Sequence, residues 1–301
     1  MTAHDFMSVA VVIAAGILSA AGCGVLLSKH LRQRFLDQPN ARSLHSSPIP
    51  RSGGLAIQGS IGVAALAFTL LAVPLPGAPF WIGWLIIVGV SVRDDLAHVP
   101  VGVRLAAQLA AVAVLFLWLG AAMPVVWPIV LLAGLALVWF INLFNFMDGM
   151  DGLAGLMAVT GAFTLALAGM LQGDEAYALL LLAVGAAALG FLVFNWPPAR
   201  LFMGDAGSVG LGYLLGALSL AGIARGLFDW IVPLLVFLPF ALDASWTLAA
   251  RVAKGARPWE AHREHFYQRL VLAGSPVRRV LVLEFLIMLL FQGLALFFAV
   301  R

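Results

Sequence analysis

VWPIVLLAGLALVWFINLFNFMDGMDGLAG, residues 126–155, joins a run of apolar residues long enough to cross a bilayer to a terminal cluster of amides and carboxylates. The hydrocarbon core is about 30 Å thick, so a helix needs roughly 20 predominantly apolar residues to span it. The run over 126–146 meets that length. Asn142, Asn145, Asp148 and Asp151 recur every three residues, and on a helix they would form one slowly turning stripe. Gly149 and Gly152 allow the chain to break there. Four such groups facing lipid would cost several kcal/mol each, so they must face protein, ligand or water.

The rest of the chain has the same character. Of 301 residues, 63% are hydrophobic and only 10% charged, and the mean hydropathy is +1.04. A soluble domain does not carry that composition. The expectation is an all-α polytopic membrane protein with about ten transmembrane helices, over 7–27, 54–73, 78–92, 103–120, 126–146, 153–172, 176–194, 206–224, 230–250 and 278–300. The third is short, and 126–155 has room for a re-entrant piece, which leaves nine or eleven crossings open. No repeat and no polar linker divides the chain, so residues 1–301 read as one domain. The first run lacks a basic N-terminal flank, so it reads as a permanent helix rather than a signal peptide. Cys23 is the only cysteine and cannot form an internal disulfide.

Positive charge sets the orientation. With both termini periplasmic, all of the 17 Lys and Arg except Arg225 and Arg301 fall on or beside five cytoplasmic loops. The pI of about 9.5 then reflects loops suited to anionic lipid heads and phosphorylated ligands rather than nucleic acid.

The inner loops carry the remaining chemistry. DQPNARSLHSSPIPRSGG (37–54) is broken by Pro and Gly and offers Arg42, His45 and Arg51. VRDDLAHVPVGVR (92–104) sets Asp94 beside Asp95, a pairing that is electrostatically uncomfortable without a nearby cation, and ends at Arg104. A solvated helix end is the plainer alternative. FNWPPARLFMGDAGS (194–208) holds Asn195 and then Asp205 at a helix start, where backbone N–H groups favour anions and Ser208 would serve as a cap. RPWEAHREHFYQRL (257–270) clusters His262, Arg263 and His265, which suit a diphosphate; an amphipathic helix on lipid heads is the alternative. Asp243 and Glu284 lie deeper and rank lower, with Arg251, Arg278 and Arg279 near enough in sequence to pair with them.

Taken in order, these five segments resemble the polyprenyl-phosphate N-acetylhexosamine-1-phosphate transferase superfamily, the glycosyltransferase 4 family. The resemblance covers residues from about 37 to 270: Asp94-Asp95 matches its Asp pair, NLFNFMDGMDGLAG its Asn/Asp motif, FMGDAGS its Gly-Asp motif and AHREHFYQRL its His-rich loop. It implies a Mg²⁺-dependent enzyme of a bacterial inner membrane, with Mn²⁺ as a possible substitute. Such an enzyme moves a sugar 1-phosphate from a UDP-sugar to undecaprenyl phosphate and releases UMP. It also implies a homodimer among membrane lipids. By similarity Asp205 and Asn145 hold the metal, and Asp94, supported by Asp95, orients or deprotonates the acceptor. Asp148 and Asp151 position the nucleotide sugar. His262, Arg263 and His265 bind phosphate, and Asn142, Asn195, Arg104 and Arg51 are further substrate-binding candidates. The branch acting on muramoyl-pentapeptide carries consecutive histidines in the last loop, whereas this chain reads His262-Arg263-Glu264-His265. That departure resembles enzymes that start O-antigen or other surface polysaccharides, the lipopolysaccharide pathway among them. A secondary transporter is the rival from another class, but transporters gather polar groups at the midplane rather than at one surface. A CDP-alcohol phosphotransferase is disfavoured because Asp148-Gly149 leads into Met-Asp-Gly.

Overall fold

The computed structural model describes residues 3–28, 31, 33–37, 48–120, 126–257 and 262–301. Arg42 and His45 lie outside the described residues. The helices are α1 (Ala3–Leu26), α2 (Gly53–Leu70), α3 (Ala78–Leu96), α4 (Val101–Leu119), α5 (Trp127–Phe146), α6 (Leu153–Leu171), α7 (Glu175–Asn195), α8 (Gly204–Ala224), α9 (Ile231–Val236), α10 (Leu238–Ala253), α11 (Phe266–Leu272) and α12 (Val277–Ala299). A two-residue antiparallel ladder, β1 (Leu36–Asp37) with β2 (Ile49–Pro50), closes the first inner loop. The chain is an all-α polytopic membrane protein apart from this clip.

Eight described helices are long and apolar enough to cross a bilayer: α1, α2, α4, α5, α6, α7, α8 and α12. Helix α3 is also 19 residues long but ends in Arg93, Asp94 and Asp95. The expected run over 230–250 departs from a single span. It breaks at Phe237 into α9 and α10. Pro239 lies just inside α10; it lacks an N–H and its ring crowds the carbonyl four residues back, so the helix cannot run straight through. The 126–155 segment holds no re-entrant piece. Helix α5 runs unbroken to Phe146 and α6 starts at Leu153, so Asp148 and Asp151 sit on the connecting turn rather than on a helical stripe with Asn142 and Asn145.

Helix α8 is the axis, with 89% of its apolar window buried against 17% for α1. It packs against α2, α3 and α5, while α7 lies between α6 and α1. Lipid tails are as apolar as leucine, so helix association in a bilayer rests on close packing and interhelical hydrogen bonds. Small residues supply the first: at the α1–α7 crossing a Cβ on Gly190 would overlap the Gly16 carbonyl oxygen. Paired polar side chains supply the second. Gln58 Oε1 accepts from Trp84 Nε1 at 2.8 Å, and Gln292 Nε2 donates to Thr160 Oγ1 at 2.9 Å. Buried Cys23 packs in the apolar core.

The helices alternate in direction. At one end His4 meets the Leu71 carbonyl, Arg225 pairs with Asp174, and Gln172 donates to the Ala299 carbonyl. The polar motifs gather at the other end.

Replacing Gly190 by Ala forces backbone apart where α1 crosses α7. Overpacking of this kind costs about 1–3 kcal/mol. Gly59, with open space around it, is the matched control. Thermal unfolding in detergent is expected to show Gly190→Ala melting below wild type and Gly59→Ala unchanged or higher.

Candidate active site

The site is built around the N-terminus of α8. The first N–H groups of a helix have no partner within it. Here the buried Asp95 carboxylate, from the last turn of α3, supplies one: Oδ1 accepts from Asp205 N and Oδ2 from Ala206 N, each at 2.9 Å. The macrodipole adds to this attraction. Gly204 makes the close approach possible. Its φ is +71°, and a Cβ there would strike the Arg51 carbonyl oxygen and the Asp95 carboxylate.

Asp94 points the other way. Its Oδ1 accepts from Val99 N at 2.6 Å and so shapes the turn after α3, while Oδ2 pairs with Arg104 Nη1 at 2.9 Å. The same Nη1 lies 3.4 Å from Asp205 Oδ2, and the Asp94 and Asp205 carboxylates are within hydrogen-bonding reach of each other. Arg104 therefore bridges two carboxylates that are 111 positions apart in the chain (205 − 94). Arg51 donates to the Asp95 carbonyl at 3.3 Å. Backbone hydrogen bonds fix its loop to the fourth one, Gly54 N to Met203 O at 2.7 Å and Phe202 N to Pro50 O at 2.8 Å.

The third loop closes on the same point. Asn145 Oδ1 accepts from Ser208 Oγ at 2.7 Å. Ser208 thus lies inside α8, which starts at Gly204, and is not its cap; it holds Asn145 against the helix. Asp148 keeps part of its surface open but is densely surrounded by protein. Burial raises its carboxyl well above the usual range, and the negative charges of Asp205, Asp95 and Asp151 raise it further. Asp151 Oδ2 accepts from Ala199 N at 2.8 Å. Asn195, almost fully buried, accepts from Gly152 N at 2.9 Å and donates to Leu201 O at 2.9 Å. Asn142 Nδ2 donates to Gln108 Oε1 at 2.6 Å, one turn inside the bundle. Asn142 and Asn195 thus have their hydrogen bonds within the protein.

The fifth loop is joined through Tyr267. Its hydroxyl lies 3.4 Å from the Phe146 carbonyl, and a Cβ on Gly149 would overlap it. His265 is buried, stacked on Tyr267 and bonded to Asp243. It faces into the protein, where the sequence suggested a phosphate contact. His262 is half-buried. Burial, with His265 and Arg251 beside it, holds its pKa down to about 4. At pH 7 it is therefore a neutral donor or acceptor, and in this cluster the permanent cation is exposed Arg263. His262 connects to the turn that carries Asp148 through the His265 ring, 5.0 Å from its own, and through Tyr267. The sequence-based partner for Asp243 is corrected: Arg251 pairs with Glu264, and Asp243 takes His265 instead. Arg278 donates to the Pro197 carbonyl at 3.0 Å rather than to Glu284.

A groove of about 280 Å³ opens between α10 and α11, lined by Trp246, Thr247, Ala250, Lys254, Glu264, Phe266 and Arg269. It flanks the fifth loop and not the carboxylates, and its lining is mixed rather than apolar. Residues that motif reading passed over are Gln108 and Tyr267, and Ser208 reads in sequence as a cap rather than as Asn145's partner. A lone glutamine in the apolar run of α4 was a legible signal, since a polar group there needs a partner. Tyr267 carries no comparable mark in the sequence.

Among the described residues, no group of three or more His, Cys, Asp or Glu side chains stands ready to cage a metal alone. Mg²⁺ does not ask for such a cage; it keeps waters and takes one or two carboxylates together with substrate phosphates. The donor set here, hard oxygens around a carboxyl whose ionisation three like charges oppose, fits that description.

Residues 78–223, which include the Asp94, Asn145 and Asp205 segments, match the model of glycosyl transferase family 4. The chain is 30% identical over 271 residues to a probable undecaprenyl-phosphate N-acetylglucosaminyl 1-phosphate transferase of Bacillus subtilis, covering 85% of this chain and 75% of that one.

The chain belongs to glycosyl transferase family 4, the polyprenyl-phosphate hexosamine-1-phosphate transferase superfamily.

A decaprenyl-phosphate N-acetylglucosaminephosphotransferase of Mycolicibacterium smegmatis is likewise 30% identical, over 91% of this chain and 78% of the relative. A phospho-N-acetylmuramoyl-pentapeptide-transferase of a Synechococcus strain is 41% identical, but over only 38% of this chain and 33% of its own length.

The two adjacent aspartates should separate experimentally. In Asp95→Asn the amide offers one acceptor oxygen for two backbone N–H groups, and leaving a buried donor unsatisfied costs about 1–3 kcal/mol. Asp94→Asn keeps an acceptor for Val99 N. Thermal unfolding is expected to place Asp95→Asn clearly below Asp94→Asn, with Asp94→Asn close to wild type.

Proposed function

We propose that this protein transfers a sugar 1-phosphate, from a UDP-N-acetylhexosamine or a deoxy relative, to undecaprenyl phosphate. UMP would be released and an undecaprenyl-diphosphate sugar formed as the first membrane step of a surface polysaccharide such as O-antigen. The observation that carries this reading is the meeting of Asp94, Asp205 and Arg104 at the helix start that Asp95 holds. Similarity to two polyprenyl-phosphate transferases, over 85% and 91% of this chain, supports it.

In the reaction an oxygen of the lipid phosphate attacks the sugar-side phosphorus of the donor. The bond from that phosphorus to the bridging oxygen of the donor diphosphate breaks, and UMP leaves carrying the bridging oxygen. Phosphoryl transfer is largely positioning and charge neutralisation. Asp205 and Asn145 are the residues that would hold Mg²⁺, or Mn²⁺ in its place. When bound, that ion screens the negative charge of the diphosphate. Arg104, already set between two carboxylates, orients the acceptor phosphate. Arg51 fixes the Asp95 turn. Asp94 stands where it can take a proton from the acceptor, but a phosphate monoester has its second pKa near about 6. The acceptor is therefore mostly dianionic at pH 7, and Asp94 serves chiefly to place Arg104. Asp148 and Asp151 set the wall against which the nucleotide sugar lies. Arg263, with neutral His262, meets a phosphate.

The positive charge of the inner loops supports a site on the cytoplasmic face of a bacterial inner membrane, where lipid-bound acceptor and soluble nucleotide meet. Ten crossings, with α3 as one and α9 with α10 as another, leave both termini periplasmic; residues 1–301 act as one domain and pair as a homodimer. The muramoyl-pentapeptide branch is disfavoured by its partial match and by the His262-Arg263-Glu264-His265 sequence.

Purified protein with undecaprenyl phosphate, Mg²⁺ and a panel of UDP-sugars is expected to release UMP with at least one sugar. EDTA should stop the release and added Mg²⁺ restore it. Asp205→Asn should lower kcat on the order of 10²-fold or more, the scale of losing a transition-state electrostatic contact. Folded protein that yields no UMP with any sugar contradicts the reading.

A further inference from the structure

Asp243 is a carboxylate in the middle of α10, only 4% exposed. A charge in such a place is costly and persists where it is paired. Its partners are specific. Oδ1 accepts from Thr247 Oγ1 and lies against His265 Nδ1, both at 3.0 Å. The Phe266 amide reaches Oδ1 at 3.1 Å and Oδ2 at 3.0 Å. Two of these partners lie beyond α10 and are consecutive residues, His265 and Phe266, where the fifth inner loop becomes α11.

The grip continues outward. At the start of α11 the His265 amide donates to the Gln268 side chain at 3.3 Å. The His265 ring stacks on Tyr267, centroids 5.7 Å apart and 12° from parallel, and lies 5.0 Å from the His262 ring. Tyr267 touches the turn that carries Asp148. A hydrogen bond from Nδ1–H to a carboxylate fixes both the tautomer and the plane of an imidazole. This buried oxygen pair, with the Arg251–Glu264 ion pair beside it, therefore anchors the segment 262–265.

We propose that Asp243 is a positioning residue for the transfer reaction: through His265 and the Phe266 amide it holds His262 and Arg263 in the attitude in which they meet the diphosphate of the nucleotide sugar. This rests on the function proposed above. Asp243 itself touches no substrate.

The test uses the full chain in lipid nanodiscs and compares wild type, Asp243→Asn, Asp243→Ala and Thr247→Val. Hydrogen–deuterium exchange of Asp243→Ala is expected to show residues 262–268 exchanging about tenfold faster or more, with α12 unchanged. In steady-state assays KM for the UDP-sugar should rise about tenfold while KM for undecaprenyl phosphate stays within about twofold. Adding His262→Ala to Asp243→Ala should cost less than about twofold more, because the two act in one chain. Asp243→Asn, which keeps its volume and one acceptor oxygen, should fall between wild type and Asp243→Ala, and Thr247→Val should match wild type. Unchanged exchange, losses that multiply in the double variant, or a lower melting temperature with both KM values unchanged would each overturn the proposal. If Asp243→Ala does not fold, the same readings on Asp243→Asn decide. Wild type that turns over no UDP-sugar refutes the proposed function instead, and the exchange data then decide the anchoring by itself.

Discussion

One carboxylate sets the geometry on which the rest depends. Asp95 reaches from α3 into the open N-terminus of α8 and takes two backbone N–H groups at 2.9 Å. It thereby places the side chain of Asp205 beside Asp94 and Arg104. The contact is short because Gly204 has no Cβ to obstruct it. Because α8 is also the most buried membrane helix, the position of this one helix start fixes the site relative to the whole bundle. The adjacent aspartates that look equivalent in sequence thus have different duties: Asp95 holds the start of α8, and Asp94 pairs with Arg104.

A buried cap of this kind explains why acidic residues crowd one end of an apolar protein. Each carboxylate has a distinct reason to be there. Asp95 satisfies helix N–H groups, Asp151 satisfies the Ala199 amide, and Asp243 fixes the last loop. Asp148 is different, since burial and like charges oppose its ionisation, and that opposition favours a bound cation. The Tyr267 contact with the Phe146–Gly149 turn then brings an arginine-bearing loop to the same place. Carboxylates beside a cationic loop are what a metal–diphosphate ligand requires.

Much of this was legible in the sequence because membrane segments announce themselves by length. Runs such as 126–146 and 153–172 lie within a few residues of the helices Trp127–Phe146 and Leu153–Leu171. The broken run at Phe237 was not legible, because apolar residues fill both halves and hydropathy does not register a proline kink. Spacing also misled. A three-residue period suggested one helical stripe from Asn142 to Asp151, whereas the chain leaves the helix at Phe146. His265 looked like a ligand because sequence shows residue type and not direction. Its partner, Asp243, is 22 positions away (265 − 243), and no local pattern reports such a pair.

The central claim is that the inner loops form one diphosphate site at the start of α8. A cryo-EM structure with a UDP-N-acetylhexosamine and Mg²⁺ tests it most directly. The account predicts an ion about 2.1 Å from an Asp205 oxygen, with the diphosphate between Asn145 and Arg263. Nucleotide bound at a place from which Asp205, Asn145 and Arg104 are all remote would contradict it.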